Sequence, residues 1–398
     1  MRLLVVMVNY PFPPRTGSAI VAYNSMKHLS KRHKFELISL APRGAAIEPA
    51  EFVERTDVIS KEQYSKFTKL VRKLLYMLIG VPPSVSTSAS SAMKKLVKSK
   101  FESGQFDAIL LFEMGAIQYC PASSHHKLVV NVEDPESIKL SRIAELPIWS
   151  IWQRLKMYQL VGLTTLYENR ILHKMAKVLL LSESDTQDMR GKFLHDNFTT
   201  MPYGVDKRDL TEIMAYADRE KAIVFSGNMF HPSNIDGAIF LLNDIFPLIV
   251  QEYPAAILWI VGADPDNRIY EAAERFGDKV VITGRVTDIA DYLKRATVSI
   301  CPVRLKIGVQ TKILEALSWG TPVVTTSAGN SGIKGVTGTH LWVEDAPQLL
   351  AKRVCDLLNG SDWSRMSAQG RELTTENFSW QGSAANLEQH LVSSIVPD

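Results

Sequence analysis

The chain has 398 residues, a length that corresponds to two domains of ordinary size. Hydrophobic residues make up 46% of the chain and charged residues 22%, which excludes a largely disordered or collagen-like protein. The formal net charge is only +3, and no apolar run approaches the ~18 residues that are needed to cross a bilayer.

The first half of the chain alternates apolar runs with helical patterns. Residues 3–8 are apolar throughout, as expected for a strand that is buried on both faces of a parallel sheet. A helix that Ser18 caps is predicted to follow and to run to Lys31. Further strands are predicted at 35–40, 108–112, 127–130 and 177–181, and a long helix at 147–175. This alternation indicates an α/β layer with right-handed crossovers.

The same pattern restarts after Asp206. Strands are predicted at 222–225, 256–261, 280–282, 298–301 and 322–325. Helices are predicted at 234–251, 268–276, 312–319 and 380–395, and one further helix is predicted to end at Arg295. We therefore expect a first domain at 1–205, a second at 206–378 and a hinge at 203–220. Two such domains place a ligand at the carboxyl ends of their strands.

One glycine lies between the first strand and the first helix. Gly17 there lets the backbone approach a ligand, and the start of a helix favours an anion, although a simple turn glycine is the other interpretation. Neither a GxGxxG nor a Walker motif occurs, which disfavours a dehydrogenase and a P-loop enzyme.

The richest window runs from residue 302 to 324, where a strand ends, a loop follows and a helix begins. The loop contains Gly308, Val309 and Gln310. Amides at the helix start, together with Arg304 and Lys312, suit a diphosphate. Glu315 lies one turn from Lys312 on the same helix face and suits a ribose diol. An ordinary Lys–Glu pair within the helix is the alternative interpretation.

This window resembles the signature of the family 4 retaining glycosyltransferases. Glu315 matches the second glutamate of that family's Glu-x7-Glu, and 320–324 match its Gly-x-Pro-Val-Val strand. Ile307 occupies the position of the first glutamate, which makes the loop more similar to the branch of exosortase-associated sugar transferases. Six further segments resemble that branch in the same order, namely 182–185, 202–206, 225–234, 260–265, 282–288 and 378–380.

The resemblance implies a GT-B fold, in which two Rossmann-like domains face each other across a cleft and a C-terminal helix, here 379–398, crosses back to the first domain. It also implies that a nucleotide sugar binds mainly to the second domain. Gly227, Asn228 and Arg285 lie in segments that match the family's donor site. Asn228 replaces the family's phosphate-binding arginine, so we expect Arg304 and Lys312 to take over the diphosphate charge.

The resemblance further implies that the first domain binds the acceptor. Residues 131–137 look like the branch's Asp-x-x-Asp-x-x-Ser segment, so Asp134 is expected to face the cleft near the acceptor and to contribute to catalysis with Arg304 and Lys312. A role for Asp134 as a helix cap is the alternative interpretation.

The reaction that the resemblance implies is a hexosyl transfer with retention of the anomeric configuration. The donor phosphate takes the acceptor proton, and the enzyme positions the reactants and stabilises the departing diphosphate. No DxD motif is found, and we expect neither a metal nor a cofactor. The expected role is surface polysaccharide or glycoconjugate synthesis on a glycan or lipid-linked acceptor. The alternatives are a GT-B sugar-nucleotide epimerase, whose acid/base residues we cannot place, and a non-catalytic sugar-nucleotide-binding subunit.

Residues 61–100 hold nine Lys or Arg and one acid, Glu62. Within them, 64–79 has apolar residues at helical spacing, and its basic residues are Lys66, Lys69, Arg72 and Lys73. A basic amphipathic helix suits an anionic membrane surface, whereas a surface helix packed on its own sheet is the alternative.

We expect no nucleic-acid partner. Three dispersed cysteines without a CxxC pair favour a reducing compartment, so we expect a cytoplasmic protein that is peripheral on the inner face of the plasma membrane.

Overall fold

The structure is a computed structural model that describes residues 1–62 and 64–395, without the side chains of Lys69, Leu210 and Ile395. The end of the expected 379–398 segment and the side chain of Lys69 therefore lie outside the described residues. The chain forms two compact units. The first comprises Met1–Ala144, Ser150–Gly204 and the helix from Trp380, and the second comprises Glu145–Trp149 and Val205–Ser379.

The first unit is built on a seven-stranded parallel sheet. Its strands are β1 (Arg2–Met7), β2 (Lys34–Ala41), β3 (Arg55–Ser60), β4 (Ala108–Leu111), β5 (Leu128–Glu133), β6 (Lys177–Leu180) and β7 (Phe198–Thr200). Their order in the sheet is β3-β2-β1-β4-β5-β6-β7. Residues 3–7 of β1 are fully buried, as the apolar run predicted. The carboxyl ends of β1, β4 and β5 thus lie side by side at the middle of the sheet.

The helices of this unit up to β7 are α1 (Gly17–Leu29), α2 (Lys66–Leu78), α3 (Pro83–Ser86), α4 (Ser91–Glu102), α5 (Glu136–Ala144), α6 (Ile151–Leu172) and α7 (Glu183–Phe193). Thr16, not Ser18, caps α1, because its hydroxyl accepts a hydrogen bond from the Ala19 amide at 3.4 Å. The long predicted helix begins only at Ile151, where Ser150 and Gln153 form a capping box.

The segment just before α6 differs from the expected domain boundary. Residues Glu145–Trp149 cluster with the second unit, although the sequence places them in the first. One contact that holds them there is a hydrogen bond from Nη1 of Arg268 to the carbonyl oxygen of Ile148, at 3.3 Å.

The second unit contains a six-stranded parallel sheet in the order β10-β9-β8-β11-β12-β13. Its strands are β8 (Glu220–Ser226), β9 (Ile257–Val261), β10 (Val280–Gly284), β11 (Ala296–Cys301), β12 (Val323–Thr325) and β13 (Trp342–Val343). Its helices are α8 (Pro232–Phe240), α9 (Phe246–Glu252), α10 (Asn267–Ala273), α11 (Ala290–Arg295), α12 (Thr311–Ser318), α13 (Ser327–Asn330), α14 (Pro347–Leu358) and α15 (Trp363–Asn377).

The predicted helix 234–251 is interrupted in the structure. A π-helical turn, Leu241–Ile245, separates α8 from α9, and Pro247 follows in the first turn of α9. Proline has no amide hydrogen to donate to the preceding turn, which favours such a break. The whole stretch Pro232–Glu252 is long and apolar enough to cross a membrane, but 67% of its most apolar window is buried, as in a helix of a protein core.

The last helix, α16 (Trp380–Ile395), belongs to the first unit and packs against α1. Glu388 anchors it, because its carboxylate lies 2.6 Å from Nε2 of His33 and 2.5 Å from Nη2 of Arg32. The ring of Trp380 lies 4.9 Å from that of Tyr203. The expected return of the C-terminal helix to the first domain is therefore confirmed, as is an α/β fold of two Rossmann-like units.

Candidate functional site

Glycines lie at the carboxyl ends of three neighbouring strands of the second unit. Gly227 follows β8, Gly262 follows β9 and Gly284 ends β10. The Gly227 amide donates to the Val261 carbonyl at 3.0 Å, and the Gly262 amide donates to the Gly284 carbonyl at 3.2 Å. Gly262 has φ +151°, and a Cβ there would stand 1.6 Å from the carbonyl oxygen of Gly227. Only glycine permits this approach, which presents backbone at the edge where a ligand is expected.

Lys312 reaches from the first turn of α12 to this glycine edge. Its Nζ donates a short hydrogen bond to Oδ1 of Asn234 and lies 3.0 Å from the place that a Cβ of Gly227 would take. Asn234 lies in the first turn of α8, and its Nδ2 donates to the carbonyl of Asn228 at 2.8 Å. The structure thus brings Gly227, Asn228 and Lys312 together. It adds Asn234, which was not expected from the sequence to be a site residue.

The surroundings of Lys312 disfavour its charge. Burial lowers the pKa of this ammonium, and the neighbouring Cys301 and Glu315 only partly oppose the effect. Its hydrogen-bond acceptor, the amide of Asn234, is uncharged. A half-buried ammonium in such a place gains most from an anionic ligand, because the ligand supplies the missing opposite charge.

The loop before α12 is held by its backbone. Gly308 adopts a left-handed conformation with φ +55°. A Cβ on Gly332 would stand 2.3 Å from the Gly308 carbonyl oxygen and 3.1 Å from Cα of Val309, so the two segments are in close contact. Nε2 of Gln310 donates to the Ile307 carbonyl at 3.1 Å. The Ile307 side chain is buried and therefore offers no polar group at the position of the family's first glutamate.

Arg304 is held by a carboxylate. Its Nε donates to Oδ2 of Asp236 at 2.9 Å, and its guanidinium lies 4.8 Å from the ring centre of Phe240. Asp236 is buried, and its hydrogen bond raises the pKa of Arg304. The Arg304 side chain is still 41% exposed, although Asp236 binds its Nε and Nη2 edge. A direct role with a diphosphate, which the sequence analysis expected, stays a prediction.

Glu315 and Arg285 are the remaining charged candidates of the second unit. Burial raises the pKa of Glu315, whereas Arg208 and Lys312 act to lower it. Arg208 itself lies over the Trp319 ring, 4.3 Å from its centre. Arg285 is exposed after β10, two strands from β8, and its Nη2 lies 3.4 Å from Oδ2 of Asp264.

The first unit has a cavity of about 220 Å³ at the carboxyl ends of β4 and β5, which we call the carboxyl cavity. The polar residues that line it are Ser18, Ser84, Glu113, Glu133, Asp134, Glu136, Lys139 and Glu168. Gly17 lies beside it, because a Cβ there would stand 3.3 Å from Oε2 of Glu133. The structure thus places Gly17 and Asp134 at one site, in the first unit.

Two glutamates dominate this cavity, and neither was expected from the sequence. Burial, and then the charge of Asp134, raise the pKa of Glu133 to about 8. Burial also raises the pKa of Glu113, whose carboxylate accepts hydrogen bonds from the Val8 amide at 3.1 Å and from the Ser18 hydroxyl at 3.3 Å. A sequence signal exists for both, since each carboxylate stands at or just after the end of a buried strand.

Asp134 pairs with a lysine. Its Oδ2 lies 3.7 Å from Nζ of Lys139, which is also 2.6 Å from Oε2 of Glu136. Burial opposes the charge of Lys139, but Asp134 and Glu136 together raise its pKa to about 12. Across residues 1–62 and 64–395, no group of three His, Cys, Asp or Glu side chains is arranged to hold a metal ion.

A third feature is an apolar surface on two helices of the first unit. On α2 the side chains of Phe67 and Leu78 are 75% and 83% exposed, and on α6 that of Trp152 is 74% exposed. Nη1 of Arg170, in the last turn of α6, donates to the Ile79 carbonyl at the end of α2 at 3.2 Å, whereas Trp152 lies in the first turn of α6. We call these exposed side chains of the two helices together the α2–α6 face. Its exposure shows that the apolar side of α2 is not packed on its own sheet.

The second unit matches a known family model. Residues 220–360 match the model described as glycosyl transferases group 1. That stretch contains the glycine edge, Lys312 and the Arg304–Asp236 pair. The chain is also 27% identical, over 190 residues, to an uncharacterized 44.6 kDa protein in the cps region of Klebsiella pneumoniae. This match covers 45% of the chain and 46% of that relative, so it spans less than half of the relative's length.

Solved structures resemble the chain over almost its whole length. HepE of Anabaena, in complex with UDP and glucose, has a TM-score of 0.64 at 14% identity and covers 98% of this chain and 99% of its own. WaaG, a glycosyltransferase involved in lipopolysaccharide biosynthesis, has a TM-score of 0.64 at 14% identity over 100% of both chains. Sucrose-phosphate synthase of Thermosynechococcus elongatus has a TM-score of 0.69 at 15% identity over 98% of both. These likenesses establish the GT-B fold and, with the family match, support a glycosyltransferase.

Proposed function

We propose, starting from this GT-B fold, that the chain transfers a sugar from a nucleotide-diphosphate sugar to a glycan or lipid-linked acceptor, with retention and without a metal. The observation that carries the proposal is the Lys312 ammonium, which stands at the glycine edge beside Gly227 and Asn234. Two similar proteins support a role in surface polysaccharide or glycoconjugate synthesis, the cps-region protein and WaaG. HepE, whose structure holds UDP and glucose, supports a nucleotide-sugar donor. The more specific relationship, to family 4 and its exosortase-associated branch, is part of this proposal.

The diphosphate is proposed to lie against the glycine edge and the Gly308–Gln310 loop. Lys312 supplies a positive charge there, and the amides at the start of α12 supply hydrogen-bond donors and the positive end of the helix dipole. Glu315, one turn along α12, accepts hydrogen bonds from the ribose hydroxyls. Arg304, fixed by Asp236 and still partly exposed, adds positive charge. Gln310, Arg285 and Asn228 complete the proposed donor site.

This arrangement calls for no protein nucleophile. A phosphate oxygen of the departing diphosphate takes the proton of the acceptor hydroxyl, while that hydroxyl oxygen bonds to the anomeric carbon on the same face. The contribution of the enzyme is to position the two substrates and to stabilise the charge that develops on the diphosphate. Asp134 and Gly17 belong to the proposed acceptor side, in the first unit.

A donor screen tests the proposal. Melting shifts with UDP, GDP and ADP select the base, and release of nucleoside diphosphate from the corresponding sugars is then followed with EDTA present. We expect one base to stabilise the protein, and hydrolysis or transfer to survive EDTA. No shift with any of the three nucleotides would contradict the donor site. Activity that EDTA abolishes and that magnesium or manganese restores would contradict the metal-independent mechanism.

One observation favours a second candidate, a non-catalytic sugar-nucleotide-binding subunit. Ile307 is apolar and buried at the position where the family 4 glycosyltransferases have a glutamate, so the polar contact that such a glutamate would make to the donor is lost. Such a subunit binds the nucleotide sugar but neither hydrolyses nor transfers it. Donor turnover above that of a Lys312→Met variant excludes this candidate. Tight binding without turnover, across a panel of acceptors, supports it.

We also propose that the α2–α6 face docks on an anionic membrane surface, which brings the acceptor side close to lipid-linked glycans. The face combines exposed apolar side chains with the cations Lys66 and Lys73 on α2. Each basic group near such a surface contributes about 1 kcal/mol, and the attraction fades within a Debye length. Apolar side chains at a membrane interface add to this attraction.

Co-sedimentation with vesicles tests this docking. The wild-type chain is expected to bind vesicles that contain phosphatidylserine, and to bind them more weakly at high salt and with pure phosphatidylcholine. Combining Lys66→Glu, Lys73→Glu and Trp152→Ser is expected to abolish binding. Lys352→Glu, an exposed charge change on α14, is the matched control. Equal binding to both kinds of vesicle, or to neither, would contradict the proposal.

A further inference from the structure

A basic pocket lies between α1 and α16 of the first unit, and no step of the proposed transfer uses it. Its volume is about 660 Å³, and we call it the α1–α16 pocket. We infer that it binds an anion that carries phosphate groups. Such a ligand is distinct from the donor and the acceptor, so the pocket goes beyond the proposed function. Its cations, its unbalanced charge and its small side chains on one wall support this assignment.

The cations of the pocket come from one end of α1. Lys27 and His28 lie in the last turn of this helix, and Lys31 and Arg32 follow its end. Neither Nζ of Lys27 nor that of Lys31 has an ion pair or hydrogen bond among the residues that the structure describes; the Lys27 ammonium lies 5.6 Å from the centre of the Tyr23 ring. Two ammonium groups on one pocket repel each other, and an anion bound between them attracts both.

Arg32 is held in place from α16. Its Nη2 lies 2.5 Å from Oε2 of Glu388, a carboxylate that is only 17% exposed and that also binds His33. The Arg32 side chain is nevertheless 61% exposed, so Glu388 anchors the guanidinium without enclosing it. A guanidinium that is fixed in this way suits a phosphate group, which can accept two parallel hydrogen bonds from it.

The lining of the pocket does not balance this charge. Besides the four basic residues, the described lining consists of Gln381, Ala384 and Ala385, so it includes no carboxylate. Glu388 is engaged by Arg32 and His33, which leaves the charges of Lys27 and Lys31 uncompensated. The dipole of α1 favours cations in its last turn, but it does not account for the open space beside them.

Small side chains on α16 leave this space open. Ala384 and Ala385 form part of the α16 wall, where longer side chains would fill the pocket. A volume of about 660 Å³ corresponds to roughly 20 waters at about 30 Å³ each, which is room for a diphosphate and a group attached to it. Gln381, in the first turn of α16, adds a side-chain amide that can donate to a phosphate oxygen.

Calorimetry with inorganic pyrophosphate tests the pocket. The full chain carries Lys312→Met, so that the proposed donor site contributes as little as possible. We expect pyrophosphate to bind this protein, and Lys27→Gln combined with Lys31→Gln to weaken binding at least tenfold. Lys94→Gln combined with Lys95→Gln removes the same charge from an exposed part of α4 in the same unit and is the matched control, with unchanged binding expected.

Two results would overturn the assignment. One is a Lys312→Met protein that does not bind pyrophosphate, or that binds it equally well without Lys27 and Lys31. The other is citrate binding as tight as that of pyrophosphate at the same ionic strength, which would show a site for any polyanion. Thermal unfolding of each variant checks the fold, which should persist because both lysines are exposed.

Vesicles distinguish a free phosphorylated molecule from the phosphate headgroup of a lipid. The protein used carries Lys66→Glu, Lys73→Glu and Trp152→Ser, which remove docking through the α2–α6 face, and the vesicles contain phosphatidic acid. Co-sedimentation that is lost on adding Lys27→Gln and Lys31→Gln would identify a headgroup as the ligand. Pyrophosphate binding without co-sedimentation would identify a free phosphorylated molecule. Co-sedimentation that the two lysine changes leave intact would contradict a headgroup in this pocket.

Discussion

Replacing Lys312 by methionine removes the charge at the glycine edge and keeps a side chain of similar length. In the structure its Nζ has one uncharged hydrogen-bond acceptor, Asn234, and burial lowers its pKa. The ammonium is therefore costly to keep charged in the free protein and gains a strong partner when a diphosphate binds. We expect Lys312→Met to weaken binding of the nucleoside diphosphate while leaving the fold intact.

The size of the effect follows from the kind of bond that is lost. A hydrogen bond to a charged group contributes about 1.5–3 kcal/mol, and each 1.4 kcal/mol changes an equilibrium constant tenfold. The dissociation constant should therefore rise roughly 10- to 150-fold. Stability should not fall, because methionine packs over Phe225, where the Lys312 ammonium now lies 4.9 Å from the ring centre.

Isothermal titration calorimetry with the preferred nucleoside diphosphate measures this effect, and thermal unfolding of the same samples checks the fold. Lys352→Met, on the exposed face of α14 in the same unit, is the matched control and should bind as the wild type does. A Lys312→Met protein that unfolds normally and binds within twofold of the wild type would refute the assignment.

Three further predictions follow from the second unit. Binding of the diphosphate should raise the lowered pKa of Lys312, because it favours the charged ammonium. The affinity for the nucleoside diphosphate should therefore be full below the pKa that Lys312 has in the free protein, and should decline as the pH rises through that pKa. Calorimetry at pH 9 in two buffers of different ionisation enthalpy should detect the proton that is taken up on binding. Gly262→Ala forces a Cβ onto the Gly227 carbonyl and should cost about 3 kcal/mol, measured by urea unfolding. Arg219→Met leaves buried acceptors without a donor, among them the Trp319 and Ala296 carbonyls, and should cost about 1–3 kcal/mol for each acceptor left unsatisfied, measured in the same assay.

Apolar patterning identified the strands of both sheets where burial is complete. Residues 3–7 of β1 and all of β11 are buried, and apart from Arg2, Thr297 and Ser299 the residues of the two strands are apolar. Strand β3 was missed because it lies at the edge of its sheet, is half exposed, and begins with Arg55, Thr56 and Asp57. A pattern of hydrophobicity is weak in an edge strand whose residues are only partly buried.

The donor site was only partly predictable for a different reason. Gly308 and Lys312 lie close together in sequence, so the loop and the helix start are visible in one window. Asn234 contacts Lys312 across 78 residues of sequence, and Asp236 contacts Arg304 across 68 residues. These residues meet because β8 and β11, which precede them in the chain, are neighbours in the sheet. Glu113 and Glu133 meet beside β4 and β5 in the same way. Pairing of distant strand ends is a property of topology and not of local pattern.

Product analysis by NMR tests the central claim most directly. The full chain is incubated with the preferred nucleotide sugar, a glycan or lipid-linked acceptor and EDTA, and the anomeric proton of the new glycoside is recorded. We predict release of nucleoside diphosphate together with a product that keeps the anomeric configuration of the donor, at a rate that Lys312→Met greatly reduces. A product of inverted configuration, or turnover that Lys312→Met leaves unchanged, would contradict the account.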